Sequence, residues 1–404
     1  MDFIQVRGIP NLHSHAFQRA MAGMAEKRLH PTDSFWTWRE TMYDMALRFS
    51  PDDLYAVARL LYMEMLEQGY TTVCEFHYVH HDVDGSPYAP STAMSDALIE
   101  AARSTGIALT LLPVLYMTSH LDGSPLLDKQ RRFGHTVASY LQDWETLSGQ
   151  QDAGMRLGCA LHSLRAVPLD AINAIVEELP YAAPIHIHIA EQLAEVNECV
   201  RLRGARPVQW LLDNVQVNDR WSLVHATHMD AKEIAGVAAS GACVVICPTT
   251  EANLGDGIFP AKDYLLADGR WGIGSDSHIS VSPVEELRWL EYAQRLSTNQ
   301  RTVLATESQP SVASTLLDAV CESGPNSTGF SATELETHVV TLDADAPALI
   351  GARDDVDDRW IFSGNRNLVK DVSINGAVVV SNGAHVLRDD ILRDYRKTMG
   401  RLLA

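Results

Sequence analysis

Histidines and carboxylates gather at the ends of short apolar runs in this chain. His13-Ser14-His15 closes the first run. On a strand, residues i and i+2 point the same way, so both imidazoles can reach one metal ion. Alone, such a pair is equally at home on a solvated surface. In His186-Ile187-His188-Ile189-Ala190-Glu191, His188 stands at a strand end and Glu191 just past it, pairing a ligand with a carboxylate free to move protons. His186 has the same parity one step deeper and reads as a packed, hydrogen-bonded histidine. Two later runs end in His225-Ala226-Thr227-His228 and Gly274-Ser275-Asp276-Ser277-His278. Asp276, between small residues, suits a carboxylate pushed into a crowded site; standing alone it would read as a turn or helix-cap aspartate. His228 and His278 lie past their strand ends and read as supporting or structural, and no spacing selects a ligand among His77, His80 and His81. Together His13, His15, His188 and Asp276 offer three imidazoles and a carboxylate. That set suits Zn²⁺ or a similar divalent ion with room for a water, whose pKa the ion lowers to about 7.

Such residues converge only if the elements carrying them share one rim. The apolar runs are Val6–Leu12, Thr71–Val79, Ala108–Met117, Leu157–Leu164, Pro184–Ile189, Ser222–Ala226, Ala242–Cys247 and Trp271–Gly274. Amphipathic stretches lie between them. One is opened by Ser50-Pro51-Asp52-Asp53 and closed by Gly69; others cover Thr92–Ser104, Leu169–Leu179, Ala190–Leu202, Ala231–Ala239 and Pro283–Leu296. Apolar strands separated by helices mean a parallel sheet covered on its faces, and eight such units predict an α/β fold, a (β/α)8 TIM barrel. In that fold the C-terminal strand ends face one mouth. Residues 7–325 are assigned to the barrel. Residues 1–6 and 326–404 are assigned to a small β-sandwich appendage, with strand candidates at Thr337–Leu342, Trp360–Ser363 and Asp371–Val380, a hairpin at Asn375-Gly376, and a closing helix from about Asp389.

Of 404 residues, 46% are hydrophobic, and Lys+Arg 32 against Asp+Glu 52 leaves a net charge of −20. That balance argues against nucleic acid or an anionic membrane as partner. The apolar run Ala108–Met117 falls short of the roughly 20 residues of a membrane span. No secretory signal is read at Met1-Asp2-Phe3, and six cysteines without a CxxC pair read as reduced thiols of a cytoplasmic protein.

The pattern of His13 and His15, His188 with Glu191, His225 and Asp276 resembles the amidohydrolase superfamily in its branch of mononuclear metal deaminases. Binuclear members typically carry a lysine after strand four; this chain has Leu161-His162-Ser163-Leu164-Arg165 there. Longer blocks resemble the formimidoylglutamate deiminases: Asn11 through Gly23, Ser34-Phe35-Trp36-Thr37-Trp38-Arg39-Glu40, Glu75 through His81, His162 through Val167, Thr250 through Gly257, and Glu285 through Trp289. The resemblance implies an amidohydrolase-type barrel and hydrolytic deimination of N-formimino-L-glutamate to N-formyl-L-glutamate and ammonia in histidine degradation. It implies one divalent metal ion per chain, zinc before others, on His13, His15, His188 and Asp276, and a homodimer. Glu191 would shuttle protons, His225 would orient or polarise at the reacting centre with Asp276 as a second proton acceptor, and Gln18, Arg39, Tyr78, His162 and Arg165 would bind substrate. A dicarboxylate substrate needs local arginines in a chain of this charge, and Arg39 and Arg165 could supply them; otherwise both read as surface salt-bridge residues. Two rival readings are a related deaminase acting on a nucleobase or triazine-like ring, and a non-catalytic metal-binding barrel. Members normally begin with a further segment that adds strands to the small domain, so that domain is expected to be reduced or trimmed here, and the ending around Thr341–Asp345 matches loosely.

Overall fold

The computed structural model describes residues 4–28 and 34–404; Met1–Phe3 of the expected appendage lie outside them. The first two strands, β1 (Ile4–Arg7) and β2 (Ile9–Ser14), belong to different sheets. β2 starts a parallel series that continues through β3 (Tyr70–His77), β4 (Ala108–Leu115), β5 (Met155–Leu157), β6 (Cys159–Ser163), β7 (Ile185–Ile189), β8 (Trp221–His225), β9 (Cys243–Ile246) and β10 (Arg270–Ile273). β5 and β6 pair with successive halves of β4, so they form one barrel position interrupted at Gly158. A Cβ at Gly158 would lie 2.6 Å from Leu112 and 2.8 Å from the Pro184 carbonyl oxygen, so only glycine fits. β2, β3 and β4 are buried at every position, as expected of strands covered on both faces. The barrel closes between β2 and the residues after β10. Asp276 N–H donates to His13 O at 3.0 Å and His15 N–H donates to Asp276 O at 3.2 Å. Closure therefore falls on the residues singled out for chemistry.

The predicted helix after Ser50 runs Pro51–Gln68. Ser50 accepts the Asp53 N–H, the Asp53 carboxylate accepts the Ser50 N–H, and Gly69 ends the helix at φ 98°. At the opposite end of the barrel from the mouth, the helix Val312–Thr328 lies across the strand bases. Ser327 O takes a hydrogen bond from His186 Nε2 at 2.8 Å, and Ser323 Oγ donates to Trp271 O at 2.7 Å.

The second sheet has the order β1, β11 (Val339–Leu342), β12 (Val369–Ile374), β13 (Ala377–Ser381), β14 (Ala384–His385), antiparallel throughout. Among the described residues it is one sheet rather than two face to face. Its apolar face, with Val340, Val369 and Val380, joins the main core beside the helix Pro51–Gln68, so no second sheet is needed to cover it. The hairpin turns at Asn375-Gly376 with φ 51° and 79°. Two expectations need correction. Val6–Leu12 is not one strand: Gly8 divides it, its N–H donating to His338 O, and Arg7 pairs with Val339 in the small sheet. Trp360–Ser363 is not a strand but the end of the helix Val356–Phe362, whose first turn carries Asp357 and Asp358. The closing helix is Arg388–Leu402. Among the described residues no helix is long and apolar enough to cross a membrane.

Candidate active site

Strand ends β2, β7 and β8 and the turn after β10 deliver four imidazoles and a carboxylate to one point. His13 Nε2 lies 3.1 Å from His15 Nε2 and 3.0 Å from His188 Nε2, and both His13 and His15 Nε2 lie 3.3 Å from Asp276 Oδ1. Hydrogen bonds behind the rings set their tautomers. His15 Nδ1–H donates to Phe76 O at 2.8 Å and His188 Nδ1–H donates to His162 O at 3.0 Å. Both Nε2 atoms then face His13 as bare lone pairs, and a single proton on His13 could satisfy one of them. A cation satisfies all: donor atoms held about 2.0–2.1 Å from one ion stand about 3.0–3.4 Å apart. Burial, joined for His13 and His188 by the neighbouring rings, keeps His13, His15 and His188 below the usual imidazole range, in the neutral form that binds metal. The donor set fits a divalent ion.

Beside this cluster stand the groups that can move protons. Burial pushes the Glu191 carboxyl up to about 7, against the pull of His225. His225 Nε2 is 3.9 Å from Glu191 Oε1 and 3.9 Å from Asp276 Oδ2, and its Nδ1 is 3.3 Å from Glu251 Oε1. Burial alone would lower His225, but the carboxylates of Glu191, Glu251 and Asp276 outweigh it and raise it to about 10. Glu195 accepts the N–H groups of Ala190 and Glu191 and so fixes the turn carrying Glu191. The strand ends are held in an unusual backbone. Ala190, His225, Ala226, Asp276 and His278 have φ between 46° and 67°, five of the ten non-glycine residues with positive φ among the described residues.

The mouth opens into a cavity lined by His15, His188, Glu191 and Asp276 at one end and by Arg39, Tyr43, Tyr116 and Arg165 elsewhere on its wall. Arg39 comes from the helix Phe35–Ala46 and stacks 4.4 Å from the Trp36 ring. Its Nε and one terminal nitrogen, and one terminal nitrogen of Arg165, are buried with no hydrogen-bond partner among the described residues, and neither guanidinium is in an ion pair there. Burial and the charge of Arg165 lower Arg39. Gln18 donates to the Tyr78 hydroxyl at 2.9 Å, leaving its own Oε1 buried and unpartnered. His162 also lines the cavity, its Nδ1 3.1 Å from Ser163 Oγ. All eleven residues picked from the sequence thus border one cavity or belong to the histidine–aspartate cluster at its end.

The remaining histidines sort by their partners. His186 is buried under the barrel on Ser327 O. His278 accepts the His15 N–H at 3.2 Å and bonds Ser275 through Nδ1, bracing the closure. His228 bonds Asp256 O. His80 and His81 bond the carbonyls of Val114 and Gly134, away from the cluster. The sequence reading gave no role to Glu251, or to Glu75, which accepts Ser14 Oγ–H and the Ala16 N–H at 2.6 Å and clamps the backbone around His15. A strand-end histidine that must present Nε2 needs an acceptor on Nδ1. That requirement calls for an acceptor behind His225, but nothing in the spacing picks out Glu251 as the one.

The amidohydrolase family matches residues 6–378. The chain is 48% identical to a formimidoylglutamate deiminase of Pseudomonas aeruginosa over 98% of its own length and 89% of the relative's. It superposes with a TM-score of 0.94 on the crystal structure of an amidohydrolase from Brucella melitensis at 45% identity, covering 99% of this chain and 90% of that one. The fold extends to an adenosine deaminase of Xanthomonas campestris with bound zinc, with a TM-score of 0.82 at 21% identity over 100% of this chain and 86% of that one.

Proposed function

Because this chain belongs to the amidohydrolase family, in the company of a formimidoylglutamate deiminase at 48% identity, we propose that it hydrolyses N-formimino-L-glutamate to N-formyl-L-glutamate and ammonia, a step of histidine degradation. The observation that carries the substrate is the set of three buried, unpartnered guanidinium nitrogens, two of Arg39 and one of Arg165, in the cavity that also reaches the histidine–aspartate cluster. Leaving such donors without acceptors is costly, and a carboxylate-bearing substrate removes that cost. A nucleobase or triazine ring offers them neutral acceptors but no carboxylate, and a non-catalytic barrel has no use for a proton-moving Glu191 beside the ligands.

His13, His15, His188 and Asp276 would hold one divalent ion, zinc before iron or manganese. Bound there, it would act as a Lewis acid and bring the pKa of water to about 7. The residues of the chain do the rest. Asp276 and Glu191 flank the point of attack and accept the proton that water gives up. Water adds to the carbon of the protonated formimino group, and His225 Nε2–H, its ring held from behind by Glu251, donates to the oxygen as it gains charge. Glu191 then passes its proton to the departing nitrogen, Asp276 takes the second proton of the former water as its oxygen becomes the formyl oxygen, the C–N bond breaks, and ammonia leaves.

Ammonia release from N-formimino-L-glutamate, with N-formimino-L-aspartate, guanine and cytosine for comparison, tests the reading directly. Glu191→Gln is expected to lose at least 10³-fold in kcat while retaining its metal. Near-normal turnover in that variant would refute the role of Glu191, and preference for a purine or pyrimidine would refute the substrate.

A further inference from the structure

Three pocket-side groups that the reading above leaves unused form a hydrogen-bonded unit. Gln130, in the 3-10 turn Asp128–Phe133, is buried and its orientation is fixed: Oε1 accepts the Leu127 N–H at 2.9 Å, so the amide nitrogen must face the other way. That nitrogen has two protons. One goes to the Tyr43 hydroxyl oxygen at 3.1 Å and the other to the Tyr116 hydroxyl oxygen at 3.0 Å. Both phenols are thereby acceptors from Gln130, and each still has its own proton to give. Among the described residues the one acceptor within reach of either hydroxyl is the other phenol oxygen. Even with one proton spent on the other phenol oxygen, one remains.

Those phenols line the same cavity wall as Arg39 and Arg165. Tyr43 lies four residues after Arg39 on one helix, so both project from the same face, while Tyr116 follows β4 directly. This wall has guanidinium and hydroxyl donors, and Gln130 supplies no acceptor to it. We propose that Gln130 is a positioning residue that commits Tyr43 and Tyr116 to donate into the cavity, and that the two hydroxyls join Arg39 and Arg165 in binding the carboxylate end of the substrate. The inference rests on the reading of the substrate as a dicarboxylate. It adds two binding residues and a device that sets their polarity. The substrate then lies with its carboxylate end on the donor wall and its amidine toward Glu191, Asp276 and the unpaired Gln18 Oε1, an arrangement that rejects a reversed pose.

The test uses metal-loaded wild type, Tyr43→Phe, Tyr116→Phe and Gln130→Glu, read by steady-state kinetics on N-formimino-L-glutamate and by calorimetry with glutarate and, as a monocarboxylate, butyrate. Each phenylalanine variant is expected to raise KM and the glutarate Kd about ten-fold or more, with kcat changed less than about three-fold. Gln130→Glu keeps the size and the bond to Leu127 but turns the donor into an acceptor, drawing the phenol protons out of the cavity. It should weaken glutarate at least as much as either phenylalanine variant. A purely structural Gln130 would tolerate that change, because the tyrosines could still bond it. Glutarate binding like wild type in all three variants overturns the proposal whatever their turnover. A wild type inactive on N-formimino-L-glutamate whose glutarate binding still depends on Tyr43 and Tyr116 overturns the substrate reading and leaves this one standing.

Discussion

At the scale of single residues, the site works because each reacting side chain is held from behind. His225 shows this most clearly. Its Nε2 faces Glu191 and Asp276, and its Nδ1 is tied to Glu251, which also accepts the Cys247 N–H at 2.9 Å. Replacing Glu251 by Gln keeps an oxygen for the Cys247 amide but removes the charge that helps to hold the His225 proton. The expected result is a fall in kcat of about 10–100-fold with little change in KM and full metal content. Kinetics with metal analysis decides it, and unchanged kcat, or loss of metal, would sink the assignment. The ligand-type residues were legible in the sequence because strand parity ties His13 to His15 and because His188 and Asp276 end apolar runs. Glu251 was not, since nothing in the spacing joins position 251 to position 225. Tyr43 and Tyr116 were not either, because aromatic residues near strand ends and on helices read equally well as core.

At the scale of elements, the barrel seam is the sensitive place. Gly274 follows β10 where that strand meets β2, and an added Cβ would stand 2.6 Å from His13 Cβ and 2.9 Å from His13 O. The second of these is backbone and cannot swing aside. Gly274→Ala is expected to force β2 and β10 apart, costing about 1–3 kcal/mol of stability and weakening metal binding through His13. Gly400→Ala, with nothing within 4 Å of the new Cβ, serves as the control and should be neutral or slightly stabilising. Urea unfolding with and without chelator separates the two effects; equal stability of the two variants would show that the seam can relax. The eight strand positions were legible because buried parallel strands are continuous apolar runs bounded by helix signals. Trp360–Ser363 misled because a short apolar stretch carries no period; Asp357 and Asp358 just before it were the helix signal. The division at Gly8 was hidden because two strands of different sheets abut with one residue between them.

At the scale of the whole molecule, buried titratable groups pull stability in opposite directions with pH. Burial lowers His77 and His135 to about 3 and His186 and His338 to about 4, against about 6.5 in an unfolded chain. Below pH 6.5 the unfolded state therefore binds more protons, and stability falls as pH drops from about 6.5 toward 4. Protonation of His13, His15 and His188 with loss of metal acts the same way, so repeating the acid limb in chelator removes the metal's share and leaves that of the buried histidines, these three included. Carboxyls raised by burial do the reverse. Asp256, bonded to Gln192 and with its Oδ2 buried and unpartnered, is raised to about 10. The folded state keeps that proton while an unfolded chain has lost it above about pH 4. The stability it contributes is complete below the unfolded value and declines steadily as pH rises toward 10. Between pH 7 and 9, above the value of about 7 for Glu75 and Glu191, Asp256 shares the remaining slope with His225, also raised to about 10, and with Glu286, which burial raises. Asp256→Asn keeps the shape of a neutral acid and the oxygen that Gln192 bonds, but it cannot titrate. Its unfolding midpoint in chelator should vary less than that of wild type over pH 7–9, so the two curves diverge on the alkaline side. Parallel curves there would mean that Asp256 is ionised in the folded protein and that Gln192 and a route to solvent stabilise its charge.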